Sequence, residues 1–350
     1  GDGYKKYFHA VATERYRKNS ISTLKLADGT LIEDHIGKAS LLFSSYKQRL
    51  GSSDPPNTRF DLHHIIKKVE GLDDLTVPFT TDEIDLVVKE MPLDRAPGPE
   101  GFNGCFMKSC WTIIKHDFYK LVMDFYEGGL DLDSINTGFI TLIPKCQSPE
   151  TVNDYRPITL LNCCLKIITK FLANRLQRII LRIIHTNQYG FLKSRSIQDC
   201  LAWAFEYTHQ CQASGRKVLL LKLDFAKAFD TIEHAPMIEI MRAMGFNEKW
   251  LNWIACLFQS GKSSVLLNGT PGRQFTCKRG VRQGDPLSPL IFVLAADLLQ
   301  SAINHAFREE ILQKPIPSAE TDYPVIQYAD DTIVFLPAMK EQVEALKNSW

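Results

Sequence analysis

The chain has 350 residues, 45% of them hydrophobic and 23% charged, with a formal net charge of +1. At roughly 100–200 residues per domain there is room for two or three packed units, and this balance excludes disorder, a collagen-like repeat and a coiled coil. The most apolar run, Leu287 to Ala296, contains Ser288 and Pro289 and ends at Asp297, short of the ~18 uninterrupted apolar residues of a membrane span, so a soluble chain without a membrane partner is expected.

The chain opens at Gly1 without a methionine and reads as a piece of something longer. Tyr4-Lys5-Lys6-Tyr7-Phe8 and Arg15-Tyr16-Arg17-Lys18 form a basic-aromatic stretch, either a solvated helix or an RNA-contacting extension, since interleaved rings and cations suit base stacking with phosphate contact. Asp28-Gly29 between apolar residues predicts a tight hairpin over Leu24 to Ile32, and Gly51 to Asn57 has the composition of a linker. Thr80 and Glu83 have capping-box spacing ahead of Ile84, Val87 and Val88, so a helix starts there and stops at Pro92. Helical periodicity continues from Asn103 to Glu127, ended by Gly128-Gly129, and Phe139 to Ile143 reads as a strand.

A long helix is predicted from Leu160 to Ile184, with Lys166, Lys170, Arg178 and Arg182 as a basic row opposite its apolar face. Another covers Ile197 to Gln212, Gly215 breaks the chain, and the leucine-rich run Val218 to Phe225 predicts a buried strand. Short helices follow near His234 to Met244 and Glu248 to Gln259, then a hairpin of Val265 to Leu267 with Gln274 to Cys277. A buried helix is predicted over Pro289 to Ala306, and two short strands between Pro324 and Leu336 with two aspartates between them. The nine cysteines are scattered without zinc-ligand spacing, which fits a reducing, intracellular compartment.

The near-neutral total hides an uneven distribution. Between Thr141 and Lys222 stand twelve Lys/Arg and four Asp/Glu, a local net of +8 suited to a polyanion. Downstream, Asp224 ends an apolar strand, and Asp330-Asp331 sits between the apolar runs Val325 to Tyr328 and Ile333 to Phe335. Taken alone, Asp-Asp in a turn is an ordinary turn composition, and Asp224 could be a cap or half of an ion pair. Three acids on apolar strands beside a glycine-containing Arg282-Gln283-Gly284 turn and a basic segment instead suggest two hard divalent ions at a phosphate-binding surface.

Leu223-Asp224-Phe225-Ala226-Lys227-Ala228-Phe229-Asp230, Arg282-Gln283-Gly284-Asp285-Pro286-Leu287-Ser288-Pro289 and Tyr328-Ala329-Asp330-Asp331 resemble successive core motifs of reverse transcriptases. Asp154-Tyr155-Arg156-Pro157-Ile158 and Asn187-Gln188-Tyr189-Gly190-Phe191, in order upstream, resemble the non-LTR retrotransposon branch, the long interspersed elements, most of all the plant-type ones. The likeness runs from about Asp94 to Leu336, and five motifs in order are far more specific than the last tetrapeptide alone.

The resemblance implies an α/β (α+β) right-hand polymerase. It would have α-rich fingers (76–215 with 237–283), an antiparallel-sheet palm (216–236 and 284–350) and a basic-aromatic extension (1–75), the thumb lying outside this chain. It implies RNA-directed DNA synthesis from dNTPs on an RNA template and a DNA primer. Asp224 and Asp330 would bind two Mg²⁺ ions, with Asp331 as a third carboxylate. The main chain at Phe225 helps hold the triphosphate, Phe229 excludes a ribose 2′-hydroxyl, Gln283 and Gly284 pack against nucleotide and template, and Arg156 and Lys145 grip the triphosphate. Tyr328, Arg195, Lys166, Lys170, Arg178 and Arg182 are the candidate nucleic-acid contacts, Arg195 being equally an ordinary salt bridge and Asp230 a structural cap. An endonuclease region and a thumb are expected in the full-length protein, which would act in the nucleus or cytoplasm. The competing reading is a partial element that binds nucleic acid without catalysis; a metal-dependent glycosyltransferase leaves the Arg-Gln-Gly turn and the basic segment unexplained.

Overall fold

The computed structural model describes residues 20–54, 61–317 and 321–348, together with Ala10, Thr13 and Glu14. The basic-aromatic motifs at Tyr4 to Phe8 and Arg15 to Lys18 lie outside the described residues, as do Pro55, Pro56 and Asn57 of the expected linker.

Strands β1 (Leu24–Lys25) and β2 (Leu31–Ile32) form the expected hairpin, with Gly29 at φ +90 in its turn. Helix α1 (His35–Leu50) follows, capped by Asp34. A one-turn helix α2 (Leu62–Ile65) precedes α3 (Thr81–Glu90), whose capping box of Thr80 and Glu83 is formed as predicted. Asn103 caps α4 (Gly104–Glu127), and Gly128 ends it in the left-handed conformation. After the short α5 (Leu132–Ile135), strands β3 (Thr137–Pro144) and β4 (Tyr155–Leu161) pair antiparallel.

Helix α6 spans Cys163–Ile179 and runs into a tight turn at Ile180–Arg182. The helix predicted from Leu160 therefore starts later: Leu160 and Leu161 belong to β4, a strand not predicted at all. The apolar pattern runs through both elements without a gap, so periodicity alone could not separate strand from helix.

Beyond α6 come α7 (Ile197–Ala213), β5 (Val218–Leu223), α8 (His234–Met244), α9 (Glu248–Gln259), β6 (Lys262–Leu267) and β7 (Thr270–Thr276). Asn268 and Gly269, at φ +52 and +88, make the two-residue β6–β7 turn that suits the right-handed twist of a hairpin. The last elements are α10 (Ser288–Arg308), β8 (Val325–Tyr328), β9 (Asp331–Pro337) and α11 (Lys340–Asn348).

Two sheets organise the molecule beside the β1–β2 hairpin. One has the order β4-β3-β6-β7, with β3 and β6 parallel and the outer pairs antiparallel, and it packs on Leu42 and Tyr46 of α1. The other is antiparallel, in the order β5-β9-β8. Val334 and Leu336 face Ile303 of α10 and Leu346 of α11, while Ile333 and Phe335 face Tyr207 and Cys211 of α7. The alternation of a strand packed on both faces produces this division. A large helical core of α3, α4, α6, α8, α9 and the first half of α10 joins the two sheets.

Two expectations are corrected here. Strand β5 is an edge strand with Leu219 and Leu220 exposed, and it ends at Leu223; a leucine-rich run gives no sign of which strand lies outermost. Helix α10, at 21 residues, is by length and composition apolar enough to cross a membrane, because Ser288 and Pro289 sit in its first turn and do not interrupt it. Here Leu290, Val293, Leu294 and Ile303 bury it in the core.

Candidate active site

The antiparallel sheet brings the three predicted carboxylates to one end. The β5–β9 register finishes at Leu223 opposite Thr332, so one step further Asp224 lies across from Asp331. Tyr328 pairs with Asp331, which is thus a strand residue, and the two-residue turn between them is Ala329, at φ +57, and Asp330. Side chains two residues apart share a face, so Lys222 and Asp224 stand on the same side as Asp331. The Lys222 ammonium is 2.9 Å from Asp331 Oδ1. Its pKa is raised first by the hydrogen bond and charge of Asp331 and then by the charges of Asp224 and Asp330.

The acids are not sealed in an apolar sheet, as their flanking residues suggest: Asp224 and Asp331 are exposed and Asp330 is half-buried. The cation that answers them is Lys222, one turn of the pleat back along the same strand. Among the described residues no group of three or more His, Cys, Asp or Glu stands close enough to hold a metal ion as the side chains lie. The donor chemistry nevertheless suits hard divalent ions, because three carboxylates lie at the same end of one sheet and the Lys222 ammonium is held there by Asp331.

Immediately after Asp224 the chain passes through Lys227, at φ +55, into a tight helical turn at Ala228–Thr231. Phe225 is exposed. The half-buried ring of Phe229 stacks on Phe292 of α10, centroids 4.5 Å apart at 8°. Asp230 does not cap the next helix, whose N-cap is Glu233. It is buried, 3.6 Å from Arg49 Nη1 at the end of α1. Burial pushes the Asp230 carboxyl up from its ordinary value against the opposing pull of Arg49, Lys227, Lys145 and Arg279. The acid, six residues beyond Asp224, thus serves as counter-ion to a cluster of cations.

The Arg282-Gln283-Gly284 turn is fastened to β4. Thr159 N donates to Gln283 O at 2.6 Å, and Gly284 adopts φ +111, where an added Cβ would lie 2.6 Å from Thr159 O. Glycine is required there both by the backbone angle and by the close approach. Arg282 donates to the side chain and carbonyl of Asn136. The same β4 carries the exposed Arg156, paired with Ile143 near the end of β3, and Lys145 follows two residues later. Sequence reasoning placed these cations together; the strand that brings them together it missed.

The Asn187 to Phe191 segment runs along β8. Gln327 N donates to Asn187 O at 2.9 Å and Tyr189 N to Gln327 O at 2.8 Å. Gln188, fully buried, accepts from Gly190 N at 2.9 Å and Ala329 N at 3.2 Å, tying the segment to the Ala329-Asp330 turn. No polarity pattern marks the role of Gln188; only its place inside the Asn187 to Phe191 motif gives a reason to look there.

The nucleic-acid candidates fare unevenly. Arg195 is neither free nor part of a salt bridge: its Nη1 donates to His185 O at 2.7 Å and Gln188 O at 2.5 Å, closing the loop. Lys166 reaches Ala96 O at 3.3 Å, Arg178 lies 3.8 Å from Glu83, and Arg182 donates to Glu70 O at 2.7 Å. Three of the four are thus engaged with α3, the 66–70 segment and the loop at Ala96, partners on other elements that a single-helix charge count cannot see. Lys170 is half-buried and Tyr328 exposed.

A family profile described as reverse transcriptase (RNA-dependent DNA polymerase) matches residues 143–349. The chain is 27% identical over 336 residues to the Transposon TX1 uncharacterized 149 kDa protein of Xenopus laevis, covering 94% of this chain and 25% of that protein. It is 28% identical over 253 residues to the Retrovirus-related Pol polyprotein from type-2 retrotransposable element R2DM of Drosophila melanogaster, covering 72% and 23% respectively. A further relative, the Pol polyprotein from type-1 retrotransposable element R2 of Nasonia vitripennis, is 28% identical over 245 residues, covering 69% and 22%. The chain spans about a quarter of the length of these relatives. Motif order, the carboxylate-bearing sheet end and these likenesses agree: the chain belongs to the reverse transcriptase (RNA-dependent DNA polymerase) family.

Proposed function

We propose that the chain is the polymerase centre of an RNA-directed DNA polymerase, extending a DNA primer on an RNA template with dNTPs. The observation that carries this reading is the placement of Asp224, Asp330 and Asp331 at one end of a three-stranded antiparallel sheet, where the Lys222 ammonium stands 2.9 Å from Asp331. In this reading 216–236 and 284–350 are the palm, 76–215 with 237–283 the fingers, and the thumb and an endonuclease region belong to the rest of the protein, which works in the nucleus or cytoplasm.

Asp224 and Asp330, with Asp331 as a third carboxylate, would hold two Mg²⁺ ions, which when bound supply the charge that activates a primer 3′-hydroxyl and stabilises leaving pyrophosphate. The chain's own residues do the positioning. Arg156 and Lys145, at one end of the β3–β4 pair, draw the triphosphate by charge, and the exposed main chain at Phe225 lies beside Asp224 to meet it. Gln283 and Gly284, held against β4 by the Thr159 N to Gln283 O hydrogen bond, form the turn that packs against nucleotide and template. Phe229, braced by Phe292, closes the space a ribose 2′-hydroxyl would need. Tyr328, with Lys170, supplies nucleic-acid contact, whereas Arg195, Lys166, Arg178 and Arg182 serve first to hold the loops that line the path.

The test is extension of a labelled DNA primer on RNA by the full-length protein, beside Asp330→Asn. Extension is expected to disappear in the variant while salt-sensitive primer-template binding persists. Equal loss of both would refute the assignment, and binding without extension by the unaltered protein would favour a remnant that only binds nucleic acid.

A further inference from the structure

Phe191 is hard to explain as a packing residue or as a turn residue. Its backbone lies at φ +62, a region that glycine and asparagine enter readily and a bulky aromatic rarely does. Its side chain is 47% exposed, so burial does not offset the strain. Strain of this kind persists where the surroundings fix the backbone, and it gathers at functional sites.

The surroundings here do fix it. Gly190 sits so close to the catalytic hairpin that a Cβ would lie 2.3 Å from Ala329 N, and Gln188 accepts from both Gly190 N and Ala329 N. Anchored in this way, the left-handed step at residue 191 brings the Phe191 ring against the Phe229 ring, centroids 5.9 Å apart at 83°. Phe229 already stacks face to face on Phe292 at 4.5 Å. The Phe229 ring is therefore held by one stacked and one T-shaped aromatic contact, from two separate segments of the chain. Aromatic side chains otherwise turn about two torsions, and a ring that must exclude one hydroxyl has to be held in place.

We propose that Phe191 is a positioning residue for sugar selection: it braces Phe229 in addition to the α10 support, so that the Phe229 ring stays where a 2′-hydroxyl would fall. The inference rests on Phe229 acting as the sugar-selecting residue and deepens that reading. Phe191 need not touch the nucleotide.

The experiment measures single-nucleotide insertion by the full-length protein on an RNA template, with a deoxynucleotide or its ribonucleotide counterpart, as a ratio of kcat/KM values. Phe191→Gly removes the ring and relieves the backbone, so it folds at least as stably as Phe191→Ala; Phe191→Asn provides a second variant tolerant of positive φ. Both are expected to raise relative ribonucleotide use about 2- to 10-fold, the range of an edge-to-face ring contact. Phe229→Val is expected to raise it further, and adding Phe191→Gly to that variant to change nothing more, because Phe191 acts through Phe229. Relaxed selection in Phe229→Val with none in either Phe191 variant overturns the inference and leaves the Phe229 reading standing. Unchanged selection in Phe229→Val removes both. Equal loss with both sugars, together with weaker template binding, overturns it in favour of Phe191 stacking on a template base.

Discussion

Replacing Arg175 by methionine tests how the α3–α6 contact is held. The side chain is 4% exposed, and all five guanidinium hydrogens have acceptors. Nε and Nη2 reach Glu83 at 3.3 and 3.0 Å, Nη1 reaches Leu75 O at 3.0 Å and Val77 O at 2.6 Å, and Nη2 reaches Pro78 O at 3.1 Å. The cation also lies 4.6 and 4.7 Å from the rings of Phe79 and Phe171. Methionine preserves the stem and strands Glu83 with three carbonyls. Removing one member of a buried pair costs about 3–5 kcal/mol. Glu83 keeps its capping bonds to Thr80 and its 3.8 Å approach to Arg178, which argues for the lower end, about 3 kcal/mol at pH 7. Burial alone would raise the Glu83 pKa, but the hydrogen bonds and charge of Arg175 hold it below its ordinary value. That share of stability is present above the unfolded carboxyl pKa and is lost as pH falls through the depressed folded one, so the deficit of the variant should shrink in acid. Urea unfolding of the two proteins at pH 7 and in the acid range measures both effects. Arg175→Lys should recover little, since three donors on a point charge cannot serve a carboxylate and three carbonyls. A deficit below about 1 kcal/mol, or full recovery with lysine, would refute the claim that the whole fork is used.

Two further outcomes follow from local geometry. Gly284→Ala places a Cβ 2.6 Å from Thr159 O at φ +111, so it should destabilise by at least about 1–3 kcal/mol and impair primer extension; a variant that melts and extends like the parent would show that the turn is not held to β4. Burial alone would lower the His185 pKa, but its hydrogen bond to the buried Asp297 and the charge of that carboxylate raise it above the ordinary value. The stability this pair contributes is present below the unfolded histidine pKa, about 6.5, and lost as pH rises through the higher folded one. Thermal melts from pH 6 to pH 8.5 should therefore fall more for the parent than for His185→Gln, and parallel slopes would dissociate the pair from stability.

Helices were legible where caps and glycines marked their ends. Thr80 with Glu83, and Asn103 with Gly128, fall where local hydrogen bonding puts them. Strand β4 was not legible, because Leu160 and Leu161 continue into the apolar face of α6 and only the β3 pairing separates them. Nor could a one-dimensional pattern show that β5 is outermost, since its leucines match those of a central strand in composition.

The site divides along the same line. The residues proposed to carry chemistry sit in short motifs and could be named through the reverse transcriptase resemblance of those motifs: Asp224, Asp330, Asp331, Phe229, Gln283 and Gly284. Residues that set their position could not, because they owe their role to long-range contacts: Lys222 to the three carboxylates, Gln188 to the Ala329 amide, Arg49 to Asp230 across α1. The local net charge of +8 shows why counting fails: it includes Arg175, which is buried and fully bonded, and Lys222, which answers acids outside the counted segment. A positive segment therefore attracts a polyanion only with those cations that folding leaves unpaired. Arg156, exposed at one end of the β3–β4 pair, meets that condition better than the helical row that looked more basic, whereas Lys145 beside it is exposed but donates to Asn153 O at 3.0 Å.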